Sequence, residues 1–474
     1  MPGRLKLAYF SPLNPVQSGI SDYSEELLPA LARYADLDLY LDNYTPSNRE
    51  IAARFNIYPT SKFARQSGRY DNYLFHMGNS AAHAYIYKTL LNTQGKGILV
   101  LHDFVLHHFM IGQYLNHGQA AEYIRQMGRF YGSEGETIAR EVIKGKFAES
   151  LFKYPFNEAA IEAAQAVLVH SRFAQSRIHE KYPAKPVGIA RMGVPLPPLE
   201  GKETARARLG LPQDEFILVS LGHLNPYKRL DSALWAYRAF RREYPRSRFV
   251  LVGSSSPNYD VKSMISALGL TNSVYLTGYA SMAELQDYTA AADCCVNLRY
   301  PTAGETSASL LRIMGAGRPV LVSRTGAFEE LPDDCVIKVD VDDTEEELLL
   351  EYLRLLARDP RLAETLGRNA RRYVEISSRL GDAAYDYYKF ICQVLGREPD
   401  LPYIPDPTPP TGEVAGPTPV ERVEVGQPGD DFSENSPDLS PDWEEIAQAA
   451  AEIGLEETDP TLEKIARAAR FAGL

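Results

Sequence analysis

The feature that most constrains this chain is a rhythm that runs twice. Short apolar runs alternate with amphipathic stretches, first through RLKLAYF, LDLYL, NYLFH, GILVLH and AVLVH. They return in FILVSLG, RFVLVG, SVYLTG, DCCVNL, PVLVS and CVIKV. Apolar runs of strand length without polar alternation fit strands covered on both faces, as in parallel sheets flanked by helices. The intervening segments SDYSEELLPALARY, QAAEYIRQMGRFYG, DSALWAYRAFRREY and SMAELQDYTAAAD read as helices. Asp22 with Glu25, and Ser281 with Glu284, fit capping boxes at two helix starts. Strand and helix in alternation define an α/β class. The rhythm breaks once, in the Gly- and Pro-marked GIARMGVPLPPLEGKETARARLG, which places a linker near residues 191–200. Two α/β domains therefore follow one another within 474 residues. Such sheets bind ligands at the carboxyl ends of their strands, so the cleft between the domains is the expected site.

The net charge of −12 belongs to one end of the chain. From Arg397 onward there are 5 basic and 18 acidic residues, a balance of −13, against 45 basic and 44 acidic before it. A body so balanced carries no nucleic-acid footprint. Residues 401–441 hold ten prolines among Asp, Glu, Gly and Ser, which reads as a disordered linker. Two short helices split near Pro460 are expected beyond it, the first amphipathic through Trp443, Ile446 and Ala450, as a docking motif for a protein partner or a helical tail. No long uncharged apolar run predicts a membrane span, and MPGRLKLAYFSPLNP does not read as a secretory leader. Four cysteines, with Cys294 and Cys295 adjacent in one apolar run, suit core packing in a reducing cytoplasm rather than a disulfide framework or a metal site.

Three glycine-marked loops fall at expected strand ends. Ser18-Gly19 opens the first helix. SLGHLNPYKRL carries Gly222, His223 and Lys228. NLRYPTAGETSASLLRIMGAGRPVLVS sets Glu305, Thr306 and Ser307 at a helix start. Free N–H groups and the helix dipole favour an anion there, yet the chain supplies a carboxylate and no Gly-Lys-Ser/Thr phosphate loop. An acid at a helix N-terminus contributes about 0.3–1 kcal/mol as a cap alone. Five of the nine histidines lie between His76 and His108. None shows a helical His-x-x-x-His spacing, and His102 at the end of GILVLH reads as a polar contact to substrate rather than a metal ligand.

From Leu5 to about Phe390 the chain resembles retaining glycosyltransferases of the GT-B fold, in the large family four (glycosyl transferases group 1). The resemblance rests on SPLNPVQSGISDYSEELLPAL, LHDF, VLVHSRFAQSRI, LGHLNPYKRLDSAL, FVLVG, VYLTGY, LQDYTAAADCCVNL and GETSASLLRIMGAGRPVLVS, in that order. It implies two Rossmann-like domains with parallel sheets facing a cleft. The acceptor-side domain would span 1–190 and the nucleotide-sugar domain 191–375, with a crossover helix at 376–396. The disordered acidic segment would follow at 397–441 and the helical tail at 442–474. The resemblance also implies roles. Lys228 would neutralise the donor diphosphate, and His223 stands where many members have arginine. Glu305 would hold sugar hydroxyls, with Thr306 and Ser307 presenting amides to the phosphates. Gly19 would let the helix start approach the diphosphate, Gly222 would belong to the donor-binding set, and His102 would lie at the donor sugar and the reacting centre. The acid is then for the sugar and the amides are for the anion.

One departure is plain. The second glutamate of the family motif, which usually holds the nucleotide ribose, falls on Ile313 or Arg312 by the two ways of counting. The implied activity is transfer of a sugar from a nucleotide sugar to a hydroxyl, without metal or other cofactor. The acceptor would be a polysaccharide, a lipopolysaccharide or a lipid-linked glycan. Peripheral contact with the inner face of a membrane would suit the lipid-linked case. A GT-B phosphorylase, an epimerase and a non-catalytic glycan-binding scaffold are the alternatives.

Overall fold

The apolar runs become strands of two parallel sheets in the computed structural model, which describes residues 4–406 apart from 94, 147, 148 and 258. The first sheet holds β1 (Leu5–Phe10), β2 (Ala35–Leu41), β3 (Asn56–Pro59), β4 (Asn72–Met77), β5 (Ile98–Leu101), β6 (Ala166–Val169) and β7 (Val187–Ile189). Their order is β3-β2-β1-β4-β5-β6-β7. The second holds β8 (Phe216–Leu221), β9 (Ser247–Val252), β10 (Val274–Gly278), β11 (Cys294–Asn297), β12 (Val320–Ser323) and β13 (Ile337–Val339). Their order is β10-β9-β8-β11-β12-β13. In each sheet the chain reverses its direction of growth beside the first strand, between β1 and β4 and between β8 and β11. Loops leaving such a pair diverge to opposite faces and open a crevice at the strand ends.

Burial explains which strands form. Every residue of β4, β5, β6, β11 and β12 is buried, including the adjacent Cys294 and Cys295. Helices cover both faces, so alternation has no value there. The strands absent from the expected set, β3 and β7, are edge strands with partly exposed residues.

The first helix spans Gly19–Leu31 and corrects one expectation. Its N-cap is Ser18, extended at φ −155°, whose side chain accepts from Ser21 N. Asp22 lies one turn inside. Glu25 accepts instead from Asn14 N at 2.8 Å and Asn48 Nδ2 at 2.8 Å, tying the loop after β1. The capping box at Ser281 and Glu284 is present in both directions, at 3.3 Å and 2.8 Å.

The helix Leu380–Val394 lies against the first helix. It starts beyond residue 376 because the preceding helix, Pro360–Ser377, runs through that position. Tyr387 meets Tyr23 hydroxyl to hydroxyl at 3.3 Å, and Arg191 pairs with Asp386 at 2.7 Å. Gly188 makes room for it, since a Cβ there would lie 2.4 Å from the Phe390 ring.

Residues 397–406, expected to open the disordered segment, are fastened to the first domain. Tyr34 Oη accepts from Ile404 N at 2.8 Å, Arg33 pairs with Asp406 at 3.0 Å, and Tyr388 Oη accepts from Asp400 N at 3.0 Å. These ten residues cover apolar side chains as well as forming polar contacts, for Leu401 and Ile404 pack on the core. The rest of the expected linker and the helical tail lie outside the described residues. A chain ending at residue 396 is expected to melt about 2–5 °C below one ending at 406, the loss of about 1–3 kcal/mol in packing and hydrogen bonds. Equal midpoints in differential scanning calorimetry would remove this anchoring role.

Candidate active site

The crevices of the two sheets face each other across a cavity of about 860 Å³. Gly19, His102, Gly222, His223, Lys228, Glu305, Thr306 and Ser307 all line it, so residues far apart in sequence converge as a set. The size is that of a site for a small molecule.

The second domain supplies charge. β8 is followed by Gly222, whose φ of 95° is costly for any residue with a side chain. A Cβ there would sit 3.2 Å from Lys228 Nζ, so the turn also clears the lysine. Lys228 folds back from the short turn Pro226–Lys228, and its amine donates to the Leu221 carbonyl. Burial is the main cause that pushes the Lys228 pKa well below the usual lysine value. The Arg299 charge adds to this, and Glu305 pulls the other way. His223 stands at the exposed rim, with Nδ1 3.1 Å from Ser254 Oγ and Nε2 2.9 Å from Ser256 Oγ.

Glu305 sits in the loop between β11 and the helix Ala308–Gly315. Arg299 Nε lies 2.7 Å from one carboxylate oxygen, and Thr302 Oγ1 donates to the other at 3.2 Å. Gly304 precedes it at φ 74°, packed so closely that a Cβ would lie 2.6 Å from Phe104 Cβ. Ser307 caps the helix, its Oγ accepting from Leu310 N at 3.2 Å. The first-turn N–H groups of such a helix have no intrahelical acceptor and point outward.

The first domain supplies histidines and an acid. At the end of β5, His102 is 6% exposed, and its Nε2 lies 2.9 Å from Nδ1 of His76 on β4. Burial first, then the neighbouring His170, His76 and His83, hold His102 well below the usual histidine pKa, so it is neutral. Asp103 follows and accepts from Asn79 N at 2.6 Å. Its carboxyl is pushed up to about 7 by desolvation and then by the Glu305 charge across the cleft. At Gly19 an added Cβ meets nothing within 4 Å, so packing within the protein does not demand glycine there. That openness fits a helix start meant for close approach by a ligand.

The two halves touch through the site itself. Val105 N donates to Ala303 O at 2.9 Å, Tyr227 Oη lies 2.8 Å from His108 Nε2, and Thr306 Oγ1 donates to His170 O at 3.3 Å. Glu330 accepts from Arg172 N and Phe173 N at 3.1 and 2.7 Å, closing the start of a first-domain helix with a second-domain acid. Arg312, one of the two candidates for the missing glutamate position, pairs with Glu26 of the first helix at 2.7 Å.

Sequence reasoning passed over Asn79, Asp103, Tyr227 and Arg299 as contributors to this cavity, and met Arg312 only as a place where the second glutamate of the family motif is missing. Asp103 and Arg299 had a usable signal, since each lies just past a strand end that faces the cleft. Tyr227 and the pairing of Arg312 with Glu26 had none, because the partners come from the other domain.

Asp103→Asn tests the electrostatics without touching fold. Its raised pKa means that the folded state holds a proton the unfolded chain has released between about pH 4 and 7, so the contribution of Asp103 to stability falls as pH rises through that window. The penalty is at most about 4 kcal/mol, and water reaching the carboxyl through the cleft makes it smaller. The asparagine variant is expected to melt higher than wild type at pH 8 and equally at pH 4. A parallel pH dependence of both proteins would contradict the assignment.

The architecture is that of the GT-B class: two parallel sheets of Rossmann type facing one cleft. Among solved structures it is similar to sucrose-phosphate synthase from Thermosynechococcus elongatus (TM-score 0.60, 19% identity, 83% of this chain and 100% of that one). It is also similar to HepE of Anabaena in complex with UDP and glucose (TM-score 0.57, 15% identity, 82% and 100%). Residues 201–373, within the second domain, match the family described as Glycosyl transferases group 1. Curated relatives include the alpha-monoglucosyldiacylglycerol synthase of Acholeplasma laidlawii, 24% identical over 196 residues, 41% of this chain and 47% of that protein. The D-inositol 3-phosphate glycosyltransferase of Streptomyces avermitilis is 28% identical over 232 residues, 45% of this chain and 49% of that protein. The chain thus spans about half the length of the curated relatives it matches.

Proposed function

We propose that the protein transfers a sugar from a nucleoside-diphosphate sugar to a hydroxyl acceptor, with retention at the anomeric carbon. The observation that carries this reading is the pairing of opposite chemistries in one cavity: a buried lysine beside a glycine turn, and a carboxylate at an open helix start. A diphosphate needs the cation and the amides, and a hexose needs the acid, which accepts two charge-assisted hydrogen bonds and orients the ring. The UDP and glucose held by the structurally similar HepE support the donor class. The names of the relatives, an alpha-monoglucosyldiacylglycerol synthase and a D-inositol 3-phosphate glycosyltransferase, favour a lipid or polyol hydroxyl as acceptor. No described helix is long and apolar enough to cross a membrane, so a lipid acceptor would be met at its surface.

In this reading the acceptor hydroxyl attacks the face that the diphosphate leaves. The departing phosphate takes the hydroxyl proton, while Lys228 and the first-turn amides before Leu310 hold the growing negative charge. Neutral His102 contacts the sugar near the reacting carbon. The contacts between the domains keep bulk water from the donor. Charge stabilisation comes from the protein, and the scheme requires no metal.

The test is a melting screen against UDP-, GDP- and ADP-sugars, followed by NMR of the anomeric proton of the product. A true donor at 100 times its Kd stabilises by about 2.7 kcal/mol. Turnover that depends on free phosphate would instead mark a phosphorylase, donor conversion without acceptor an epimerase, and binding without turnover a scaffold. An inverted product would overturn the retaining mechanism.

A further inference from the structure

The resemblance assigns two cations to the diphosphate, and the structure offers a different pair. His223, at the position of the family arginine, has both ring nitrogens beside serine hydroxyls at the rim. Arg312 lines the cavity but points its Nη2 at both carboxylate oxygens of Glu26, each at 2.7 Å. Lys228 is a single compact charge. Among the described residues, Arg299 is the remaining guanidinium in the cavity wall. It leaves the end of β11 with its backbone N–H donating to Ser323 Oγ at 2.9 Å, so its origin is fixed to the neighbouring strand. Its side chain is 14% exposed and meets Glu305 at 2.7 Å. It lies near enough to Lys228 for the two charges to interact.

We propose that Arg299 is the second diphosphate-binding cation of this site, and that donor binding divides the Arg299–Glu305 pair between phosphate and sugar. The inference rests on the donor reading above. Before binding, the two side chains neutralise each other in a poorly hydrated loop. A donor carries replacements for both partners. Its phosphoryl oxygens suit the planar fork of a guanidinium, and its hydroxyls suit a carboxylate. An intact nucleotide sugar therefore exchanges one matched pair for two. A nucleoside diphosphate alone takes Arg299 and leaves Glu305 half-buried without its counter-ion, which is unfavourable. The site thereby binds the substrate in preference to the nucleotide product through the same two residues.

Isothermal titration with UDP, GDP and ADP tests this on the full chain. Arg299→Gln is expected to weaken the nucleotide that binds wild type by about 10–100-fold, the scale of one charge-assisted contact. Arg299→Lys is expected to recover part of the loss, and His223→Ala to lose less than Arg299→Gln. Glu305→Gln supplies the opposite sign: with Arg299 released beforehand, affinity for the free nucleotide rises about 3–10-fold. A purely structural counter-ion role predicts no gain in Glu305→Gln and no loss in Arg299→Gln. Near-wild-type melting curves establish that each variant is folded. If wild type binds one of the nucleotides and Arg299→Gln matches it within about twofold, this inference falls and the donor reading stands. If wild type binds none of the three, the donor reading falls and takes the inference with it.

Discussion

Replacing Lys228 by methionine is expected to lower kcat for sugar transfer by about 10²–10³-fold, the cost of removing one preorganised charge from a leaving group. The fold is expected to survive, since the amine is already poorly solvated and methionine fills a similar volume. Burial holds the lysine pKa down. The unfolded chain then binds a proton that the folded protein lacks, and wild-type stability rises with pH toward the ordinary lysine value. Lys228→Met removes that dependence and is expected to melt no lower than wild type at neutral pH. Binding behaves differently. A diphosphate beside the amine favours its charged form, so wild type takes up a proton with the nucleotide and affinity falls as pH rises. Asp103, ionising at about 7, acts in the same direction. Lys228→Met therefore keeps a residual slope that adding Asp103→Asn abolishes. Nucleotide affinity measured from pH 6 to 9 decides the matter. An unchanged slope in the double variant would exclude both groups.

Glu305→Ala is expected to lower kcat by a comparable 10²–10³-fold, roughly two lost charge-assisted contacts to sugar hydroxyls. Free nucleoside diphosphate should bind the variant at least as well as wild type. A loss confined to the intact donor identifies a sugar contact. If the acid serves only the helix dipole, turnover changes little and stability falls by about 0.3–1 kcal/mol. Single-turnover assays beside equilibrium binding separate these outcomes, and equal loss for nucleotide and donor would contradict the sugar assignment.

The sheets were legible because parallel strands buried on both faces leave unbroken apolar runs, as in FILVSL and NYLFHM. Edge strands such as VGI carry too few residues and too much exposure to leave that mark. The first helix began earlier than its acids suggested because Ser18 could cap from an extended conformation with glycine behind it. Within the site, the glycine turns, the strand-end His102 and the loop after β8 that carries Lys228 follow from topology, since the carboxyl ends of the central strands share one cleft. The pairing of Arg312 with Glu26 does not, because no local pattern couples residues 286 positions apart. Its basis is tertiary: two helices from different domains meet at one point, and opposite charges suit that meeting.

That pairing bears on whether the halves of such proteins are interchangeable parts. A graft of the second domain from a relative with glutamate at position 312 would set one acid against Glu26 across a partly buried junction, where like charges repel strongly. Glu330 would have to travel with it, or the Arg172–Phe173 turn would lose its acceptor. Modular exchange within this architecture is therefore constrained at the seam: a viable hybrid inherits matched residues from both parents, and lineages that shuffle whole domains are expected to change positions 26 and 312 together.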